Sequence, residues 1–321
     1  MCKFAHDISM QIQTVSYMKG KYLDPKADLT FKLIFEHEDL LISLLNALLP
    51  LEEGKQIEHL EYLPAELVPE NPGKKDSVVD VRCQETGGRQ FIVEMQLNWN
   101  NEFRQRVILN AAKAVVKQLN TGEDFKLIQP VYSLNLINDV GFETEPDEFY
   151  HDYAVVDVAH VDRRIEGLRF VFIELPKFKP KTIAEKKMAV LWLRFLTEIN
   201  AKTEEAPAEL LENPETAKAL KLLEKSAYTE GQLIAYEHFW NAVYRERVFF
   251  DDGYKKGQVA GREEGREEGL AEGHEKGLAE GEAKGRAEER LNNARSLKVN
   301  GVPLDVIVKS LGLTKEETEQ L

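Results

Sequence analysis

The chain has 321 residues, 43% hydrophobic and 31% charged, with a net charge of −14. That composition excludes wholesale disorder, and the acidic excess on both sides of residue 250 argues against nucleic-acid binding through bulk charge. No apolar run approaches the length of a membrane span, no signal peptide is read in Met1–Asp7, and the two cysteines, Cys2 and Cys83, form no CxxC; a reducing, cytoplasmic setting is expected.

Residues 1–20 read as a lead-in. From Asp28 to Leu49, the apolar residues Phe31, Ile34, Phe35, Leu41, Ile42, Leu45 and Leu48 recur at helical spacing. The spacing predicts one amphipathic helix of about five turns, with Asp28 as N-cap and Pro50 as its stop. Ser77–Cys83 and Phe91–Leu97 flank a turn at Glu85–Arg89 and predict a β-hairpin. Glu102–Asn120 predicts a helix closed by Thr121-Gly122. Val131–Ile137 and Leu168–Leu175 predict two further strands, so residues 21–180 read as an α/β domain. Helices over Ala184–Ile199 and Thr216–Arg247, with Pro207 and Pro214 between them, predict a helical extension over 181–250.

Over 251–290 glycine recurs at 257, 261, 265, 269, 273, 277, 281 and 285, a strict period of four filled with Glu, Arg, Lys and Ala. Each glycine costs a helix about 1 kcal/mol relative to alanine. Two readings follow: a mobile charged spacer, or a stripe that lets a second helix approach and so mediates self-association. The tail, 291–321, predicts three short helices, with a capping box at Thr314 and Glu317. Its layout is that of a helix-turn-helix, but the helix that would read DNA, Thr314–Leu321, carries three glutamates and one lysine and would repel phosphate. Packing or oligomerisation is the expected role.

The chemistry centres on the hairpin. A turn near Gly87 sets Asp80 almost opposite Glu94, with Gln96 on the same face. Two carboxylates held close together repel unless a proton or cation sits between them. Hard oxygen donors of this kind suit Mg²⁺, which takes one or two carboxylates and keeps several waters. A cation there would serve phosphodiester hydrolysis. The alternative is that both acids are ordinary polar positions on a half-exposed hairpin. The seven histidines are scattered without H-x-x-x-H, so no zinc site is expected.

In this order the residues resemble the PD-(D/E)XK nuclease superfamily, in its recombination-promoting nuclease (Rpn), transposase-like branch. Asp28-Leu29-Thr30-Phe31-Lys32-Leu33-Ile34-Phe35 resembles that branch's opening D-x-x-F-K-x-x-F helix. Asp80 with Glu94-Met95-Gln96 resembles its D…E-x-Q core, glutamine replacing the superfamily's lysine. Phe103–Arg106, Gln118–Phe125 and Glu174-Leu175-Pro176-Lys177-Phe178 resemble later elements, as do the glycine repeat and helical tail. Asn110 and Phe125 depart from the branch, standing where tyrosine is common.

The resemblance implies a restriction-endonuclease-like α/β core with a helical extension and a long helical C-terminal tail. It implies a Mg²⁺-dependent (or Mn²⁺-dependent) DNA endonuclease that promotes recombination in bacteria. By analogy Asp80 and Glu94 are metal ligands. Gln96 can hold a water or phosphate oxygen but supplies no charge, which leaves the transition-state cation to Lys32 or to metal alone. Asp28 lies near the site or merely caps its helix. Arg106, Asn110, Lys113 and Lys117 recur at spacings of four, three and four along one helix face and are the expected DNA contacts. Lys177, Lys179, Lys181, Lys186 and Lys187 form a second basic cluster. The rival expectations are a catalytically weak DNA-binding protein of the same fold and a self-assembling interaction protein.

Overall fold

The amphipathic run after Pro25 folds as two helices rather than one: α1 (Asp28–Phe35) and α2 (Glu38–Leu48). His37 breaks the run in an extended conformation, and Glu38 and Asp39 open the second helix with acidic residues suited to a helix N-terminus. Both helices keep an apolar face buried: Phe31, Ile34 and Phe35 on α1, and Leu40, Leu41, Leu44, Leu45 and Leu48 on α2. The N-cap of α1 is Ala27, without a side-chain bond. Asp28 instead occupies the first turn and pairs with Lys32 at 2.7 Å, so the capping role expected of it is not seen.

The computed structural model describes residues 19–67, 76–100, 102–142, 146–180 and 187–321. The chain divides into two compact units, Met1–Arg247 and Val248–Leu321.

In the first unit six strands form one mixed sheet: β1 (Leu60–Tyr62), β2 (Val81–Glu85), β3 (Gln90–Gln96), β4 (Val131–Ile137), β5 (Tyr150–Asp157) and β6 (His160–Glu174). Their spatial order is β1-β2-β3-β4-β6-β5. Strands β3, β4 and β6 run parallel, and the other neighbours are antiparallel. The β2–β3 hairpin forms around the predicted turn, although β2 begins at Val81 rather than Ser77 and runs on to Glu85. The short β1 and the β5–β6 hairpin carry weaker signals, because half of the long β6 is exposed and lacks a buried face. Helix α3 (Phe103–Val116) makes the crossover between parallel β3 and β4.

Alternation along the strands assigns each residue to a side. Phe91, Val93, Leu134, Leu136, Val171 and Ile173 belong to the main core with α1 and α2. Helix α4 (Lys187–Glu198), through Trp192 and Phe195, and helix α6 (Pro214–Leu222), through Leu220, join the same core. A five-residue helix α5 (Ala208–Glu212) precedes α6. The opposite face packs Ile92 and Val131 against Ala111 and Ala114 of α3, and Phe172 and Ile137 against Phe103 and Val107. Glu94 and Gln96 share that second face with Ile92, and this parity brings them beside α3.

Helix α7 (Glu230–Val299) takes in the whole glycine repeat, so the spacer alternative gives way to continuous helix. At each glycine of the repeat, an added Cβ would meet nothing within 4 Å. In the second unit the end of α7 packs with α8 (Leu304–Leu311) and α9 (Lys315–Glu319) around Ala294, Ile307 and Leu313. The capping box of Thr314 and Glu317 forms as predicted.

Candidate active site

The hairpin sets the geometry. Val81 pairs with Val93, and extending that register by one residue sets Asp80, just ahead of β2, opposite Glu94. The Met95 backbone N–H donates to Asp80 Oδ2 at 2.6 Å, which fixes the carboxylate against the neighbouring strand. Glu94 is 6% exposed, and its Oε1 accepts from Asn110 Nδ2 at 3.0 Å. On its other side Glu94 is paired in register with Asn135 of β4.

The electrostatics are unfavourable to two ionised acids. Burial, reinforced by the Asp80 charge, pushes Glu94 up to about 7, against the pull of Arg106, Asn110 and Lys32. Asp80 is also raised, first by burial and then by Asp28, while the Met95 hydrogen bond, Lys32 and Arg106 oppose it. Burial pulls Lys32 down, but its bond to Asp28 and the charges of Asp28, Asp80 and Glu94 outweigh that and raise it. Lys32 and Asp28 therefore lie within electrostatic reach of the two acids, although Lys32 is directly bonded to Asp28.

Gln96 is held at both ends. Its Nε2 donates to the Asn98 carbonyl at 2.5 Å, and its Oε1 accepts from Arg106 Nη2 at 2.5 Å. Arg106 also lies over the Phe103 ring, 5.0 Å from the centroid. The amide thus brings a guanidinium to the end of β3.

The expected basic stripe on α3 divides. Arg106 and Lys117 are exposed. Lys113 is half-buried and donates to the Leu67 carbonyl at 3.1 Å and to Ser77 Oγ at 2.9 Å, bracing the segment ahead of β2. Asn110 is 1% exposed and faces Glu94, so it does not lie on a DNA-facing surface as expected. The four positions do share one side of α3, but that side borders the buried stripe of Phe103, Val107, Ala111 and Ala114, and Asn110, the nearest to it, is turned toward the sheet. In the second basic cluster Lys177 is buried in an ion pair with Glu174 at 2.7 Å, which removes it from any phosphate surface. Lys181 and Lys186 lie outside the described residues.

Two residues and one role lie beyond what the sequence signals. Asn135 is fully buried in a largely apolar strand, donating to the Val171 carbonyl at 3.1 Å; an amide inside Val131–Ile137 is the available signal. Arg104 is exposed, donates to the Gly141 carbonyl at 3.3 Å, and lies over Phe142 and Trp99 at 4.4 and 5.2 Å from their centroids. Nothing in its spacing separates it from a solvated arginine. The third is the role of Asn110 as partner of Glu94.

The donor set fits a hard divalent cation. Its acids are carboxylates alone, and no group of three or more His, Cys, Asp or Glu suited to a metal occurs among the described residues. A pair of carboxylates completed by water is a usual Mg²⁺ environment. Asn110 Oδ1 is buried and has no hydrogen-bond partner, an acceptor left over beside Glu94. Such an orphan costs about 1–3 kcal/mol unless a donor reaches it. Among the described residues no helix is long and apolar enough to cross a membrane.

The family model of the PD-(D/E)XK nuclease family transposase matches residues 25–249, which contain the whole sheet, both acids and their neighbours. No curated protein and no solved structure matches the chain. With a match over more than half its length, the chain belongs to the PD-(D/E)XK nuclease family transposases.

Proposed function

We propose that this chain is a Mg²⁺-dependent (or Mn²⁺-dependent) DNA endonuclease that acts in recombination from the cytoplasm. The observation that carries this reading is the opposed pair Asp80 and Glu94, each raised by burial and by a neighbouring acid, on the hairpin of a family of nucleases. A pair so arranged is relieved by a bound cation.

Asp80 and Glu94 are the ligands in this account. The Met95 N–H and the Asn110 amide hold one oxygen of each and leave the others available. When bound, Mg²⁺ would lower the pKa of a water and polarise a phosphoryl oxygen. Arg106, tethered to Gln96, supplies the positive charge that the glutamine lacks, with Lys32 as a second cation near the acids. Exposed Arg104, Arg106 and Lys117 contact DNA phosphates. The glycine repeat mediates assembly of copies; sedimentation of the full chain against one ending before Gly253 checks this, with the shorter chain expected to run as the smaller species.

A plasmid-nicking assay with Mg²⁺ tests the enzymatic reading. Asp80→Ala and Glu94→Ala are expected to lower cleavage on the order of 10³-fold; cutting at the parent's rate by either would refute the site. A second reading, a DNA-binding protein with weak catalysis, draws on Gln96 having both amide ends engaged and carrying no charge. It predicts a metal-independent gel shift without nicking.

A further inference from the structure

Asn110 holds Glu94 with one end of its amide, while the other end, its buried Oδ1, has no partner. It lies on the buried face of α3 with Val107, Ala111 and Ala114, all of them apolar. Its Nδ2 donates to Glu94 Oε1 at 3.0 Å, and its Oδ1 is shielded from solvent with no partner. A leucine has nearly the same shape and would fill this position without an orphaned oxygen. With Glu94 ionised, as a metal ligand must be, the reverse amide orientation would set acceptor against acceptor. The hydrogen bond therefore decides which end of the amide remains open.

We propose that Asn110 is a positioning residue for the divalent cation: its N–H locks Glu94 Oε1 so that the second oxygen faces the ion, and its Oδ1 accepts from a water in the ion's hydration shell. The inference rests on the reading of Asp80 and Glu94 as the ligands. It makes the orphaned acceptor half of an outer shell that a donor completes when the cation arrives. Outer-shell partners of this kind orient ligands that would otherwise rotate, and losing one typically weakens metal affinity 10–100-fold. Asn110 differs in this from Arg106 and Lys117, which remain exposed for the nucleic acid.

The test is Mn²⁺ binding without DNA, followed by the electron paramagnetic resonance signal of free Mn²⁺, together with thermal melting of the metal-free proteins. The full-length parent, Glu94→Ala, Asn110→Leu and Asn110→Ala are compared. The expected result is Mn²⁺ binding by the parent, its loss in Glu94→Ala, and a dissociation constant about 10–100-fold weaker in Asn110→Leu. Metal-free Asn110→Leu should melt close to the parent, which a merely structural role would not accompany with weakened binding. If the leucine variant fails to fold, Asn110→Ala, which adds no bulk, is judged by the same dissociation constant. Parent-like affinity in the folded Asn110 variant, with Glu94→Ala unable to bind, overturns the role of Asn110 and leaves the site intact. No binding by the parent, or undiminished binding by Glu94→Ala, overturns the site reading and this inference with it.

Discussion

Two buried glutamates on the same sheet have opposite surroundings. Glu174, at the end of β6, is fully buried; its Oε1 accepts from the Gly141 and Phe142 N–H groups at 2.7 and 3.1 Å, and its Oε2 meets Lys177 at 2.7 Å and His151 at 2.9 Å. Burial pulls its carboxyl upward, but the Lys177, Gly141, His151 and Phe142 bonds together outweigh that and hold it below the usual range. Glu94 has one amide donor and faces a second carboxylate, and it is pushed up to about 7. The contrast separates a saturated acid, which braces the fold, from an acid left short of partners, which is suited to receive a ligand.

Gly141 shows how tightly the bracing acid is built in. A Cβ there would lie 2.3 Å from the Trp99 ring, so the loop after β4 closes over the indole only as glycine. The same loop presents the Gly141 carbonyl and the Phe142 ring to Arg104.

Removing the bracing acid should have the largest effect on stability. Glu174→Ala strands Lys177 in the interior and should cost about 3–5 kcal/mol, measured by urea denaturation. A loss under about 1 kcal/mol would erase the distinction drawn between the two glutamates.

The pH dependences should then have opposite signs. Glu174, with its folded pKa depressed, contributes stability above its unfolded pKa that is lost as pH falls through the folded value. Glu94, with its folded pKa raised from 4.5 to about 7, makes the metal-free fold less stable as pH climbs through that window, and the loss persists above it. Glu94→Gln should remove that decline and stabilise the metal-free protein at pH 8 by about 1–3 kcal/mol. Melting curves between pH 5 and pH 8 (roughly the window in question) read it directly; a variant that keeps the parent's slope would show that Glu94 is not the group responsible.

The smallest effects belong to the exposed cations. Arg104→Ala and Arg106→Ala should each reduce the slope of log affinity against log salt by about 0.9 on duplex DNA, measured by fluorescence anisotropy in Ca²⁺. An unchanged slope in both variants would move the DNA path away from the first turns of α3.

The hairpin and the opposition of Asp80 and Glu94 were legible because a period of two and a glycine turn fix register locally. The break at His37 was not, since Phe31 to Leu48 keep helical spacing on both sides of it and only the turn reveals two helices. Spacing along α3 puts Asn110 on the basic stripe because it cannot tell how far the buried face of the helix extends into that stripe. That depends on the β3 register and on Glu94, whose demand for a partner is a tertiary property. The helical state of the glycine repeat was equally beyond propensity, which left both readings open.

The most direct measurement is anomalous scattering from a Mn²⁺-soaked crystal of the parent chain. The account predicts a peak in coordination contact with carboxylate oxygens of both Asp80 and Glu94. Mn²⁺ bound elsewhere in the crystal, with no density between those two side chains, would contradict it.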